Sequence, residues 1–161
     1  MRVIGIGNPL RGDDAAGLLV ARHVRERRVP AVEVIELEGE PVGLLEAWEG
    51  AEAAIVVDAV RAGAAPGTVH VLDAGSTPLP PGVASASTHA MGLGDAIELA
   101  RSLGRLPTEL ILVGIEATSF GVGAAPSPAV AAAVEPAAEA VIEAAQSSAA
   151  TAAATRATGT R

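Results

Sequence analysis

The sequence predicts a three-layer α/β sandwich, in which a five-stranded mixed, mostly parallel sheet carries helices on both faces. Three observations lead there. Strand-like apolar runs alternate with segments of helical spacing along most of the chain. The run AAIVVDAV is apolar on both sets of alternating positions, as a central strand buried on both faces requires. The chain has 161 residues, enough for one core, whereas two independent domains would each be marginal. One domain is therefore expected over 1–145. Residues 146–161 are Ala, Ser and Thr with almost no large apolar side chain to bury, and are expected to form a disordered tail.

The elements follow in order. Val3 to Gly7 is a short apolar strand ending in a glycine turn. Asp13 and Asp14 stand where helix caps and first-turn acids stand, with Asp13 expected to cap and Asp14 to face the cleft. Leu18, Leu19 and Val24 then form one helical face, with Arg22, Arg25 and Arg27 on the solvent side, until Pro30 stops the helix. VEVIELE from Val32 alternates as a second strand. Val42, Leu45 and Trp48 mark a short helix between Pro41 and Glu49, and Ala53 to Val60 is the third strand. The link to a fourth strand, Thr68 to Leu72, is too short for a parallel crossover, so that strand is antiparallel or lies at the sheet edge. A Pro/Ser/Gly-rich surface loop runs from Asp73 to Thr88, a helix from Leu93 to Leu103, and a last strand from Glu109 to Glu116. Pro126 to Ala145 is a closing helix with Val130, Val134, Val141 and Ile142 on its buried stripe, ended or kinked at Pro136.

Composition excludes several classes of function. Mean hydropathy is +0.40, but no run approaches the roughly 20 apolar residues of a membrane span. The net charge of −8, with every cation an Arg, disfavours binding to a phosphate backbone, and one Trp, one Phe and no Tyr leave little for base stacking. No nucleic-acid or membrane partner is expected. Zero cysteines exclude disulfides, a thiolate nucleophile and Cys-based metal sites. No secretory signal is read in the opening MRVIGIG, so cytoplasm is the expected location. No heptad or apolar surface stripe argues for an oligomer, and a monomer is expected.

Ligands of open α/β sheets bind beyond the carboxyl ends of the strands, where loops converge. That rule selects Asn8, Asp13 and Asp14 after the first strand, Asp58 at the end of the third, and His89 in the loop before the next helix. An ionised Asp58 in so apolar a run needs a partner, a metal or hydrogen-bond donors, unless it is simply a solvated strand end. His23 sits on a basic helix face and reads as surface; His70, in VHV of an edge strand, reads as structural. His89 lies among small residues and is the candidate ligand. Two carboxylates and an imidazole without thiolate suit a borderline divalent metal such as zinc or nickel. A serine hydrolase lacks its GxSxG elbow here, and a dinucleotide fingerprint at Gly5 to Gly7 fails on its third glycine, where Leu10 stands.

GIGNPLRGDDAAG from Gly5 to Gly17 resembles the N-terminal signature of the hydrogenase maturation endopeptidases. IVVDAV around Asp58, STHAMGLGD around His89 and LILVGIE ending at Glu116 match later blocks of that family in the same order. The resemblance implies an enzyme that trims the C-terminal extension of the large subunit of nickel–iron hydrogenases, with Asp14, Asp58 and His89 as its metal-binding and catalytic triad. It further implies that the nickel arrives already inserted in the precursor, where a surrogate divalent metal can also occupy the triad. Nickel would then act as a recognition handle, polarise the carbonyl or activate a water, or a carboxylate would act as general base; the residues do not choose. Two departures stand out: some members carry Glu at the position of Asp14, and many carry a Gly-Gly-Thr-like turn where this chain has Gly39-Glu40-Pro41. The opening strand and GxGNP also resemble peptidyl-tRNA hydrolases, but the His-Asn pair of that family is replaced by DDAAG. A non-cleaving, nickel-dependent precursor chaperone would use the same triad.

Overall fold

The apolar runs become five strands in the computed structural model, which describes residues 1–38, 43–80 and 92–158. β1 (Arg2–Gly7), β2 (Glu33–Glu38), β3 (Ala53–Val60), β4 (Val69–Asp73) and β5 (Glu109–Glu116) form one sheet in the order β2-β1-β3-β5-β4. β1 is parallel to both β2 and β3, and β3 to β5; β4 alone is antiparallel, on the edge beside β5. The short β3–β4 link, which forbids a crossover, is thereby accommodated.

Strand periodicity divides the core in two. Val3, Ile55, Val57, Val113 and Ile115 face α1 (Ala16–Glu26) and the long C-terminal helix, packing with Val20, Val24, Val130 and Val141. Ile4, Val56, Leu110 and Leu112 face the opposite layer, made by α2 (Leu44–Ala47) and α3 (Leu93–Ser102), and pack with Leu44, Trp48 and Ile97. The predicted three layers are present. α1 ends at Glu26, and its basic end is held rather than merely solvated: Arg22 and Arg25 both pair with Glu36 of β2, and Arg27 with Glu135 and Glu139 of the C-terminal helix.

That last helix, α4 (Pro128–Thr158), corrects two expectations. Pro136 does not end it, because Pro136 and Ala132, whose carbonyl loses its N–H partner, are both exposed and water can serve the carbonyl. The expected disordered tail instead continues the helix through Thr158, in keeping with the high helix propensity of alanine. It also has something to hold: Ala145 and Ser148 are buried, and the Ser148 hydroxyl donates to Glu109 Oε2 at 2.6 Å.

Candidate functional site

The chain leaves β1 for β2 on one side of the sheet and β3 on the other, so the seam between β1 and β3 is a topological switch, where α/β folds open a crevice. Asp14 lies in the turn that follows β1, and Asp58 lies in β3, across that seam. Glycine lets them approach. A Cβ on Gly17 of α1 would run into the carbonyl oxygens of Ile6 and Val57, and one on Gly5 into the carbonyl of Gly17. α1 is thus seated directly on β1 and β3, and the 3-10 turn Gly12–Ala15 that leads into it is pressed over the strand ends. A Cβ on Gly7 would meet the carbonyl oxygen of Asp14, which accepts the Asn8 N–H at 3.1 Å.

Asp14 and Asp58 are both buried, with 5% and 8% of their surface exposed. Burial holds the Asp58 carboxyl well above the ordinary carboxylate range; the N–H of Ala59, donating to Oδ1 at 2.8 Å, opposes this, and the charge of Asp14 adds to it. The like charge of Asp14 beside the buried Asp58 makes the pair a candidate to receive a metal ion or a proton. Among the described residues, no three His, Asp or Glu side chains converge on a point that would hold a metal. His89 lies outside the described residues, as do the Gly39-Glu40-Pro41 turn and Ser87, Thr88 and Met91 around the histidine. Of the three expected ligands, Asp14 and Asp58 lie among the described residues.

Asp13 departs from expectation. It caps no helix; its carboxylate crosses to the loop after β5, where Oδ2 accepts the N–H groups of Thr118 at 3.0 Å and Ser119 at 2.8 Å, and Oδ1 accepts that of Ser127 at 2.6 Å. Burial opposes its charge, yet these three donors keep its pKa below the ordinary value. No local signal could reveal this role, because the partners lie more than a hundred residues away. The Asn8 side chain likewise serves a turn, accepting the Leu10 N–H at 2.9 Å.

Glu116 was legible only as the end of a motif, yet it is a second buried acid at a strand end. Burial opposes its charge too, but the N–H groups of Gly63 and Ala62 and the ring of His70, with Nε2 at 3.1 Å, outweigh it and lower its pKa. Glu116 thereby organises the β3–β4 loop, and His70 is structural, as read. The contrast isolates Asp58: two acids lie near the carboxyl ends of adjacent buried strands, one is supplied with several donors, and the other faces a like charge. An acid in that condition is a candidate for chemistry.

Known proteins align with this architecture. The hydrogenase maturation protease family HycI matches residues 18–144, a span that includes Asp58. The hydrogenase expression/formation protein HupD of Rhodobacter capsulatus is 35% identical over 132 residues, covering 80% of this chain and 63% of that protein. The chain thus spans about three fifths of the length of that relative. The hydrogenase 2 maturation protease of Escherichia coli K12 is 31% identical, with 78% and 79% of the two chains covered. Among solved structures, the hydrogenase maturating endopeptidase HybD from E. coli superposes with a TM-score of 0.76 at 27% identity, over 91% of this chain and 92% of that one. A hydrogenase maturation protease HycI from Thermococcus kodakarensis superposes at 0.69 and 28% identity, over 88% and 89%.

Proposed function

The chain belongs to the hydrogenase maturation protease family, and from that premise we propose that it is an endopeptidase that removes the C-terminal extension of a nickel-loaded hydrogenase large-subunit precursor. The buried Asp14–Asp58 pair carries the reading. Nickel comes with the substrate: two carboxylate oxygens, with the imidazole of His89 as third donor, form a set suited to a borderline divalent ion, and another such ion can stand in for it. The chain has no cysteine, so soft thiolate ligands must come from the precursor. Arrival of the cation offsets the burial and the like charge that raise the Asp58 pKa, so loaded precursor is favoured over unloaded precursor. Held this way, the precursor presents its scissile peptide beside the cleft. A carboxylate of the pair is then placed to take the proton of an attacking water, and the acid so formed returns it to the leaving amine.

The net charge of −8 fits a partner held through metal and peptide contacts rather than phosphates. No helix among the described residues is long and apolar enough to cross a membrane.

The test is the mass of nickel-loaded precursor before and after incubation with the wild type and with Asp14→Asn, Asp58→Asn and His89→Ala. The wild type should release a C-terminal peptide and the folded variants should not. Binding without any change of mass would establish a chaperone instead, and normal cleavage by all three variants would refute the assignment of the site.

A further inference from the structure

Beside the site, the protein presents apolar side chains to water on backbone that is tightly held. Leu10 is 68% exposed and Val122 85%. Single exposed apolar residues are ordinary. These two are paired: the Gly123 N–H donates to the Leu10 carbonyl at 2.7 Å, and the Gly12 N–H to the Ala124 carbonyl at 3.1 Å, joining residues 8–12 to residues 119–125. Each turn is also closed on itself, by the Asn8 side chain under Leu10 and by the Ala124 N–H on the Gly121 carbonyl. Asp13 anchors the same two segments from below. Two side chains are thereby held out to solvent without the entropy that a mobile loop would lose on docking.

A cation stacks on the second of these segments. The Arg61 guanidinium lies over the Phe120 ring, 4.3 Å from its centroid, and makes no ion pair among the described residues, whereas Arg22, Arg25 and Arg27 are all paired with glutamates. In a chain of net charge −8, Arg61 is a stacked arginine without an ion pair among the described residues, and it stands at the carboxyl end of β3.

We propose that the paired turns around Leu10 and Val122 are a docking platform for the precursor, receiving an apolar side chain close to its scissile bond while Arg61 meets an acidic residue beside it. The inference rests on the reading of the site as a precursor protease. It adds a specificity surface that touches neither carboxylate of the site: nickel reports that the precursor is loaded, and the platform reports which peptide carries it. The turns are joined through backbone and through Asp13, so Leu10 and Val122 can be replaced without loss of any of these hydrogen bonds.

The experiment is steady-state processing of the nickel-loaded large-subunit precursor from the same genome by the wild type, Leu10→Ser/Val122→Ser and Arg61→Gln. Leu103→Ser serves as control, since Leu103 is 55% exposed at the far end of α3. For the double variant KM should rise about tenfold or more, the order expected when apolar side chains no longer leave water, with kcat and melting temperature unchanged. Arg61→Gln should raise KM in the same way and weaken the dependence of KM on salt, and the control should match the wild type. Unchanged KM in both test variants, with the wild type active, overturns the platform and leaves the protease reading intact. Should the wild type bind the precursor without cutting it, dissociation constants replace KM: weaker binding by the variants supports the platform while the protease reading fails. Absence of any binding overturns both.

Discussion

The charge of Asp14 reaches Asp58 across the seam between β1 and β3, and it acts in the same direction as burial, holding the Asp58 carboxyl above its ordinary range. The free protein is thus strained at the place where it is proposed to act. Its stability and its activity should respond to substitution in opposite directions there.

Asp58→Asn removes the buried charge, and its side-chain oxygen can still accept the Ala59 N–H. It should stop processing while raising the melting temperature of the free protein by about 2–4 °C, the shift of roughly 1 kcal/mol in a chain of this size. Calorimetry checks this; a lower melting temperature would show that the aspartate is stabilising as it stands.

Asp13 has the opposite character. Asp13→Ala leaves three partly buried N–H groups without their charged acceptor, and hydrogen bonds of that kind contribute about 1.5–3 kcal/mol each before rearrangement. A net loss of about 3 kcal/mol is expected in urea unfolding. A loss below about 1 kcal/mol would mean that water or neighbouring groups replace the carboxylate readily.

The pH dependence has two limbs. Asp58 is raised above the ordinary value of 3.8, so the unfolded chain ionises first and stability falls as pH rises through the interval above that value. Glu116 is lowered from 4.5, so its contribution is complete above that value and lost as pH falls through the folded pKa. The two contributions therefore oppose each other across the acid range, Asp58 lowering stability as pH rises and Glu116 raising it. Asp58→Asn should flatten the upper limb and Glu116→Gln the lower one in urea titrations across pH; a profile unchanged by both substitutions would contradict the assignment.

Gly17 tests how the pair is brought together. The Cβ of Gly17→Ala collides with backbone carbonyls of β1 and β3, which have no side-chain freedom with which to yield. The substitution should destabilise the fold by about 1–3 kcal/mol and reduce processing more than stability alone explains, because α1 must move away from the seam and take Asp14 with it. Folding with wild-type stability and full activity would show that the seam is not under this constraint.

All five strands lay within a residue or so of the ranges read from period-2 alternation and apolar runs, since burial on one or both faces writes itself into local sequence. Their order did not, because which strands pair is decided by contacts across the chain. The same division holds in the site. Asp58 announced itself as an acid in an apolar strand, and Asp14 was distinguishable from Asp13 only in part: the expectation that Asp14 faces the cleft agrees with its effect on Asp58, but the cap assigned to Asp13 proved to be an anchor for a distant loop. The low-complexity tail misled for a different reason. Lack of large apolar residues argues against a core, not against a helix built of alanine and continued from one already packed.

The central claim is that the Asp14–Asp58 pair responds to a cation carried by the substrate. The most direct measurement compares the processing rate of one large-subunit precursor in its nickel-loaded and nickel-free forms, read by mass. The loaded form should lose its C-terminal peptide and the nickel-free form should remain whole until nickel is restored; cleavage of both forms at the same rate would contradict the account.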